Sequence, residues 1–137
     1  MDVSDLDGDG TPELQGSDDR LAYFDGLPYV VSQFLPLVLC RSDRGVYVDC
    51  TPEFPEFLLA GADGFEQGLG DAVAGNALEE EKQSWALALL ASYFRLGMDD
   101  EGWSKVDAAC ADCGDWLRLN LAELDERVSL AQPYREQ

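Results

Sequence analysis

The chain has 137 residues, 46% of them hydrophobic, which is enough for one folded domain with a core. Its 28 acidic and 9 basic residues give a net charge of −19, which argues against binding nucleic acid or anionic lipid and favours cations or basic proteins. Histidine is absent from the sequence, which excludes Ser-His-Asp and Cys-His catalysis and almost all catalytic zinc sites.

The first motif is an acidic stretch, DLDGDGTPEL, at residues 5–14. Counted from Asp5 as position 1, carboxylates fall at positions 1, 3, 5 and 9, and Gly10 permits the positive φ of a sharp turn. Calcium takes about six to eight oxygen ligands at flexible angles, and the backbone carbonyl of Thr11 can add one; Mg²⁺ fits less well because it keeps its waters. The stretch therefore predicts a Ca²⁺ loop. The alternative is an acidic, flexible N-terminus that matches the pattern by chance.

An EF-hand does not fit this loop, because position 12 is Gly16 instead of glutamate and Pro12 cannot donate a backbone hydrogen bond. The stretch instead resembles the loops of FG-GAP or VCBS-type repeats, in which D-x-D-x-D-G-x-x-D/E lies between two strands. The resemblance implies a calcium loop with four side-chain ligands: Asp5, Asp7, Asp9 and Glu13.

The clearest secondary structure after the loop is a β-hairpin. The segments 37–41 and 46–50 predict two strands around the turn SDRG at 42–45. The apolar segment 29–35 fits a short helix or a strand, and its periodicity does not decide between them.

From Thr51 onward the pattern becomes helical. Thr51 and the prolines after it predict a helix start, while the glycines between positions 61 and 75 argue against one continuous helix there. Further helices are predicted over 76–97, 99–114 and 115–128, each beginning at a capping Asn or Asp. The three tryptophans fall on apolar helical stripes and predict core packing: Trp85, Trp103 and Trp116.

The predicted architecture is an α+β fold, with an N-terminal calcium loop and β-hairpin followed by a bundle of three to four helices. We expect a single domain over 1–137, divided into the calcium-binding loop at 1–16, a β-rich part at 17–50, a helical part at 51–130 and a frayed tail at 131–137.

A wider stretch, DLDGDGTPEL…DDRLAY…PLVLCRSDRGVYVDCTPEFPEF, is similar to a segment of bacterial exported proteins with VCBS-like repeats. In these proteins a calcium loop leads into a DDRFAY-like strand, a hairpin ending in VDVT-x-x-FP, and then helices. The resemblance implies export, no assigned reaction, and a further repeat upstream. The residues that carry it are Asp18, Asp19, Arg20, Tyr23, Val48, Asp49, Thr51, Phe54 and Pro55.

The four cysteines are not explained by that family, since Cys50 stands where valine is usual. With a three-residue turn, Cys40 faces Val48, and Cys40 and Cys50 lie diagonally about 7–8 Å apart, which is long for a disulfide. Cys110 and Cys113 are one helical turn apart, and CADC is expected at a helix end, unlike a thioredoxin-type motif. Structural disulfides, buried free thiols and a Cys₄ zinc site all stay open.

The leading functional hypothesis is a non-enzymatic, calcium-stabilised exported module that binds or scaffolds. We expect a periplasmic or secreted location. If Met1 is the native start, we expect a cytoplasmic one, because the residues after Met1 do not form a signal-peptide pattern. Expected partners are a basic protein or an upstream repeat domain, without nucleic acid or membrane insertion. One alternative is an acidic inhibitor or immunity protein that blocks a basic site on a toxin or nuclease. Another is a hydrolase that uses carboxylates and calcium.

Overall fold

The computed structural model describes residues 2–6, 8, 10, 12–18, 20–21, 24–27 and 33–129. Within them, four antiparallel strands form one sheet in chain order. The strands are β1 (Asp2–Ser4), β2 (Glu13–Asp18), β3 (Leu35–Arg41) and β4 (Tyr47–Asp49).

The hairpin of β3 and β4 confirms the strongest local prediction. Its turn is closed by the Gly45 N–H, which donates to the Ser42 carbonyl at 2.9 Å, and Gly45 has a φ of 81°. The register places Cys40 opposite Val48, as the three-residue turn predicts. Turn chemistry alone was sufficient here, because a glycine with positive φ fixes both the loop length and the register.

The helical half confirms the α+β fold, with five α-helices in the described part where three to four were predicted. They are α1 (Pro55–Ala74), α2 (Glu79–Arg95), α3 (Asp99–Ala109), α4 (Ala111–Leu119) and α5 (Leu121–Ser129). Two short 3₁₀ turns, Phe24–Gly26 and Thr51–Glu53, lead into the sheet and into α1.

The continuity of α1 through its glycines contradicts the expected break. A Cβ on Gly61 would lie 2.9 Å from Pro36 Cγ, and one on Gly68 would lie 2.6 Å from the Trp85 ring. These two glycines therefore let α1 pack closely on β3 and on α2. Their helix-breaking tendency is outweighed by this packing.

Several predicted helix ends also need correction. Asn76 does not cap α2: its φ of 52° is left-handed, and it lies in the turn that ends α1, where the Ala77 N–H donates to the Ala72 carbonyl at 2.9 Å. Asp115 lies inside α4 instead of starting the last helix. The end of α2 at Gly97, with a φ of 72°, is confirmed.

The main core lies between the helices and the segment that precedes β3. Its largest fully buried side chains are Leu21, Phe24, Leu35, Leu69, Leu89, Leu90, Val106, Leu117 and Leu124. The three tryptophans pack against this core, as predicted. A smaller cluster of Val38, Cys50 and Phe54 joins the sheet to the start of α1. No helix in the described ranges has the length and apolar content to cross a bilayer.

Candidate functional site

The predicted calcium loop connects β1 to β2, so it lies between two paired antiparallel strands. Of its expected ligands, the structure describes Asp5 and Glu13, one at each end of the loop. The other three lie outside the described residues: Asp7, Asp9 and Thr11. The β-rich part consequently begins at β1 and not at residue 17.

The backbone of the loop curls around the carboxylate of Asp5. Oδ1 accepts the N–H of Gly8 at 2.9 Å, and Oδ2 accepts the N–H of Gly10 at 3.0 Å. The φ angles of Gly8 and Gly10 are 74° and 86°, in the left-handed region that other residues rarely adopt. The positive φ at Gly10 confirms the prediction, and Gly8 adds a second left-handed turn that was not predicted.

The carboxylate of Glu13 closes the other end of the loop. Glu13 is only 2% exposed, and its Oε1 accepts the N–H of Leu6 at 3.0 Å. Leu6 in turn packs against the small cluster of Val38, Cys50 and Phe54. The loop is therefore held to the sheet at both ends, by a hydrogen bond and by an apolar contact.

These carboxylates have the chemistry that a hard cation requires. Each carboxylate oxygen carries two lone pairs, so an oxygen of Asp5 that accepts one glycine N–H keeps a further acceptor position. Oxygen ligands and no nitrogen or sulfur favour Ca²⁺ or Mg²⁺ over transition metals. Asp5 and Glu13 are the described residues that could hold such an ion.

A buried cluster of charges, which we call the ion-pair network, lies at the other end of β2. It contains two aspartates and two arginines, so its formal charges balance: Asp18, Arg20, Asp49 and Arg95. Their side chains are between 0% and 8% exposed. The network joins β2 and β4 to the C-terminal end of α2.

The contacts of the network reach across the fold, and those of Arg20 with Asp18 and Val128 are the shortest. Arg20 Nε lies 2.7 Å from Asp18 Oδ2, and Arg20 Nη1 donates to the Val128 carbonyl of α5 at 2.7 Å. Arg95 contacts Asp18 at 3.5 Å and Asp49 at 3.3 Å. Burying charges is unfavourable unless each is paired and hydrogen-bonded, so these four side chains depend on one another.

Thr51 fixes the position of Asp49. Its hydroxyl donates to Asp49 Oδ1 at 2.6 Å, its N–H donates to the same oxygen at 3.0 Å, and it accepts the N–H of Val38 at 2.9 Å. Burial alone would raise the pKa of Asp49, but the Thr51 hydrogen bonds and the charges of Arg95 and Arg20 hold that pKa below its usual value. Burial, together with the charge of Arg20, lowers the pKa of Arg95.

From the sequence, Asp18, Arg20 and Asp49 were expected only as carriers of a resemblance, and Thr51 was expected to start a helix as well. The spacings D-x-R at 18–20 and D-x-T at 49–51 were the available pattern, but nothing in the sequence placed Arg95 beside them. Asp19, between Asp18 and Arg20, lies outside the described residues.

All four cysteines are paired, which selects the disulfide alternative over free thiols or a zinc site. Cys40 bonds to Cys50 with a Cα–Cα distance of 5.7 Å, shorter than the predicted 7–8 Å. The register was right, but β4 ends at Asp49, and Cys50 has a ψ of 19° where a strand is extended. The chain therefore bends and brings the two cysteines together.

The second disulfide joins Cys110 to Cys113, with a Cα–Cα distance of 5.2 Å. The expected position of CADC at a helix end was wrong. Cys110 has extended φ and ψ angles of −158° and 90°, so it interrupts the predicted helix, and α4 begins at the next residue.

No family model matches the chain, and no match was found among curated proteins or solved structures. The resemblance to FG-GAP and VCBS-type repeats therefore stays a prediction.

Proposed function

We propose that this protein is a non-enzymatic module that Ca²⁺ stabilises at its N-terminal loop and that acts in binding or scaffolding outside the cytoplasm. The observation that carries the proposal is the conformation of the loop. Asp5 holds two glycine N–H groups in left-handed turns, and Glu13 is buried at the first residue of β2. The exposed Asp5 carboxylate faces one end of the loop, and the buried Glu13 carboxylate fixes the other end to the sheet.

A bound cation would act on folding, through the charges of the loop. The five carboxylates between residues 2 and 13 repel one another, and a divalent cation offsets this repulsion. Because the loop joins two strands of the sheet, an ion bound to it stabilises the folded chain and not the unfolded one.

Export is supported by the two disulfides. Such bonds persist in oxidising compartments and are rare in the reducing cytosol. A periplasmic or secreted location is therefore the one we propose.

Thermal unfolding with calcium and with a chelator tests the ion site. At a calcium concentration about 100 times the dissociation constant, we expect stabilisation of about 2.7 kcal/mol. For a domain of this size that raises the melting temperature by roughly 8–10 °C. Mg²⁺ should give a smaller increase, because it prefers octahedral sites and retains its waters.

Two variants make the test specific to the loop. Asp5→Asn removes a charge and should abolish the calcium-induced increase, while Asp43→Asn, in the exposed hairpin turn, should keep it. An identical melting temperature with calcium and with chelator in the wild-type protein would refute the calcium site.

A second candidate, an acidic inhibitor of a basic protein, is favoured by how the basic side chains are used. In the described part, six of them lie in internal ion pairs: Arg20, Lys82, Arg95, Lys105, Arg118 and Arg127. The first turns of α2 and α3 carry exposed acids at 79–81 and 99–101. This candidate would be favoured if the protein inhibits a basic nuclease and if that inhibition weakens steeply with added salt but is unchanged by a calcium chelator.

A further inference from the structure

The disulfide between Cys110 and Cys113 lies at the start of α4, and its two sulfurs differ in access. Cys110 is the residue before the helix and is partly exposed, whereas Cys113, in the first turn, is 0% exposed. Cys110 also packs partly against the main core, so it is the more accessible of the two cysteines but not a fully exposed one. This asymmetry gives the disulfide one attackable sulfur and one protected sulfur.

The backbone of α4 is arranged to support negative charge on Cys110. The N–H of Cys113 donates to Cys110 Sγ at 3.3 Å, and the positive end of the helix dipole points the same way. Thiolates at helix N-termini are stabilised by these groups, which makes them better leaving groups in exchange.

The nearby acidic residues are mostly paired. Arg118 Nη2 lies 2.6 Å from Asp107 Oδ2, and Arg118 Nη1 lies 3.8 Å from Asp115 Oδ1. Arg118 also comes close to Gly114, the residue after Cys113, where a Cβ would lie 3.1 Å from its Nη1. Asp112, which is exposed in the same first turn of α4, adds a negative charge two residues after Cys110.

The other disulfide has a structural arrangement. It crosses from β3 to the residue after β4. Cys40 is partly exposed and Cys50 is 3% exposed, so this disulfide differs from Cys110–Cys113 in its surroundings and not in its exposure. A carboxylate oxygen of Glu53 lies within 4.8 Å of both sulfurs and repels an approaching thiolate. Its ring is also larger, with a separation of 10 residues against 3, so it restricts the unfolded chain more.

We propose that Cys110–Cys113 is a thiol–disulfide exchange site for thiols of partner proteins whose neighbouring residues are uncharged or positively charged. A partner thiolate attacks Cys110 Sγ, a mixed disulfide forms, and the bond between the two cysteines breaks with its electron pair on Cys113, which then takes a proton. A second partner thiolate attacks the partner sulfur of the mixed disulfide and releases Cys110 as a thiolate. Two thiols are oxidised to one disulfide, and this pair of cysteines gains two electrons.

The preference for a partner thiol among positively charged residues follows from the negative charge of this protein. The chain carries a net charge of −19, and the exposed Asp112 follows Cys110 by two residues in the first turn of α4. An anionic thiol is repelled by this field, while a cationic one is attracted. Each chain transfers one disulfide, so the exchange site is compatible with a module that has no catalytic turnover of its own. The exchange reaction at this site does not depend on calcium.

Redox titration of the wild-type protein tests the site without any substitution. The protein is equilibrated in mixtures of reduced and oxidised dithiothreitol, alkylated, and mapped by mass spectrometry. Cys110–Cys113 should be half reduced at a ratio of reduced to oxidised reagent at least about tenfold lower than Cys40–Cys50 needs, with the near-UV circular dichroism unchanged. Reduction of both pairs at one ratio, together with loss of the near-UV spectrum, would overturn the proposal.

Two matched variants test the asymmetry. Cys113→Ser leaves Cys110 as a free thiol, and Cys110→Ser leaves Cys113. The first should react with an aromatic disulfide reagent at least about 100-fold faster than the second, provided both keep the wild-type near-UV spectrum. Equal rates in folded variants would contradict the assignment, and the wild-type titration decides it if either variant does not fold.

The charge preference has its own measurement. Cysteamine, a cationic thiol, should reduce the wild-type pair at least about tenfold faster than thioglycolate at low salt, after correction for their thiolate fractions. The difference should shrink in 0.5 M NaCl, about fivefold above the salt at which the Debye length is 10 Å. Equal rates of reduction by the two thiols at low salt would contradict the proposed preference for partner thiols among positively charged residues.

Discussion

Replacing Asp49 by asparagine tests whether the ion-pair network holds the sheet to the helices. Asparagine keeps the shape and an oxygen that can accept the Thr51 hydrogen bonds, so the change removes mainly the charge. Two buried arginines would then face one aspartate, with Arg95 losing its 3.3 Å contact. Removal of one partner from a buried pair costs about 3–5 kcal/mol, and we expect the lower end, about 3 kcal/mol, because the hydrogen bonds survive.

Urea unfolding followed by tryptophan fluorescence measures this loss. With a slope of about 1.5–2 kcal/mol per molar urea, a loss of 3 kcal/mol lowers the midpoint by roughly 1.5–2 M. Asp43→Asn, in the exposed turn of the same hairpin, is the matched control and should change the free energy of unfolding by less than about 0.5 kcal/mol. If Asp49→Asn costs no more than this control, the network does not stabilise the fold and the reasoning is wrong.

A double variant separates charge balance from lost contacts. Arg95→Met together with Asp49→Asn leaves Asp18 paired with Arg20, which restores neutrality inside the protein. The double variant should therefore be less destabilised than the sum of the two single variants, with a coupling free energy of about 1–3 kcal/mol. Simple additivity would mean that the two side chains do not sense each other.

The pH dependence gives the network a second check. Because the pKa of Asp49 in the folded protein lies below the ordinary value of 3.8, its ionised form contributes stability above that pH. This contribution is lost as the pH falls below 3.8 and through the lowered pKa. The difference in the free energy of unfolding between the wild-type protein and Asp49→Asn should therefore be at its full value at pH 6 and should decrease as the solution becomes acidic. A gap that stays constant down to acid pH would contradict the assignment.

Two glycine substitutions test the helix packing and the end of α2. Gly68→Ala places a Cβ against the Trp85 ring and should lower the free energy of unfolding by about 1–3 kcal/mol, whereas Gly64→Ala, which meets open space in the same helix, should raise it by roughly 0.5–1 kcal/mol in the same urea assay. A higher free energy of unfolding for both variants would show that α1 and α2 are not in close contact.

Gly97→Ala forces an alanine to a φ of 72° and should lower the free energy of unfolding by about 1–2 kcal/mol, measured by thermal unfolding. An unchanged melting temperature would show that α2 does not end in a left-handed residue at position 97.

The parts of the fold that the sequence predicted are those that local chemistry decides. The β3–β4 hairpin and the end of α2 depend on glycines whose left-handed conformation is fixed within a few residues, at Gly45 and Gly97. The α+β order follows from the change of hydrophobic period after Thr51. None of these predictions required knowledge of a distant residue.

The predictions that failed depend on contacts between distant segments. Gly61 and Gly68 look like helix breakers until Pro36 and Trp85 are placed against them. The Cys40–Cys50 bond needed the bend after β4, which a flat ladder does not include.

For the candidate site, the sequence predicted the loop between two strands but not the partners that hold it. The positive φ of Gly10 was predicted, whereas the hydrogen bonds of Gly8 and Gly10 to Asp5 and the contact of Leu6 with the cluster of Val38, Cys50 and Phe54 were not. Arg95 lies 46 residues after Asp49, about one third of the 137-residue chain, and nothing in the spacing of charges indicates that they pair.

Strand β2 connects the loop to the ion-pair network, and this connection favours a structural role for the loop. The strand begins at the buried carboxylate of Glu13 and ends at that of Asp18, with β1 and β3 paired on its two sides. A shift of register by one residue would turn every side chain of β2 to the other face, so the two ends cannot move independently. Whatever fixes the loop therefore also fixes Asp18 against Arg20. Because strands and not helices flank the loop, a cation bound there would stabilise the sheet and its junction with the helices, where an EF-hand sensor would instead move a pair of helices.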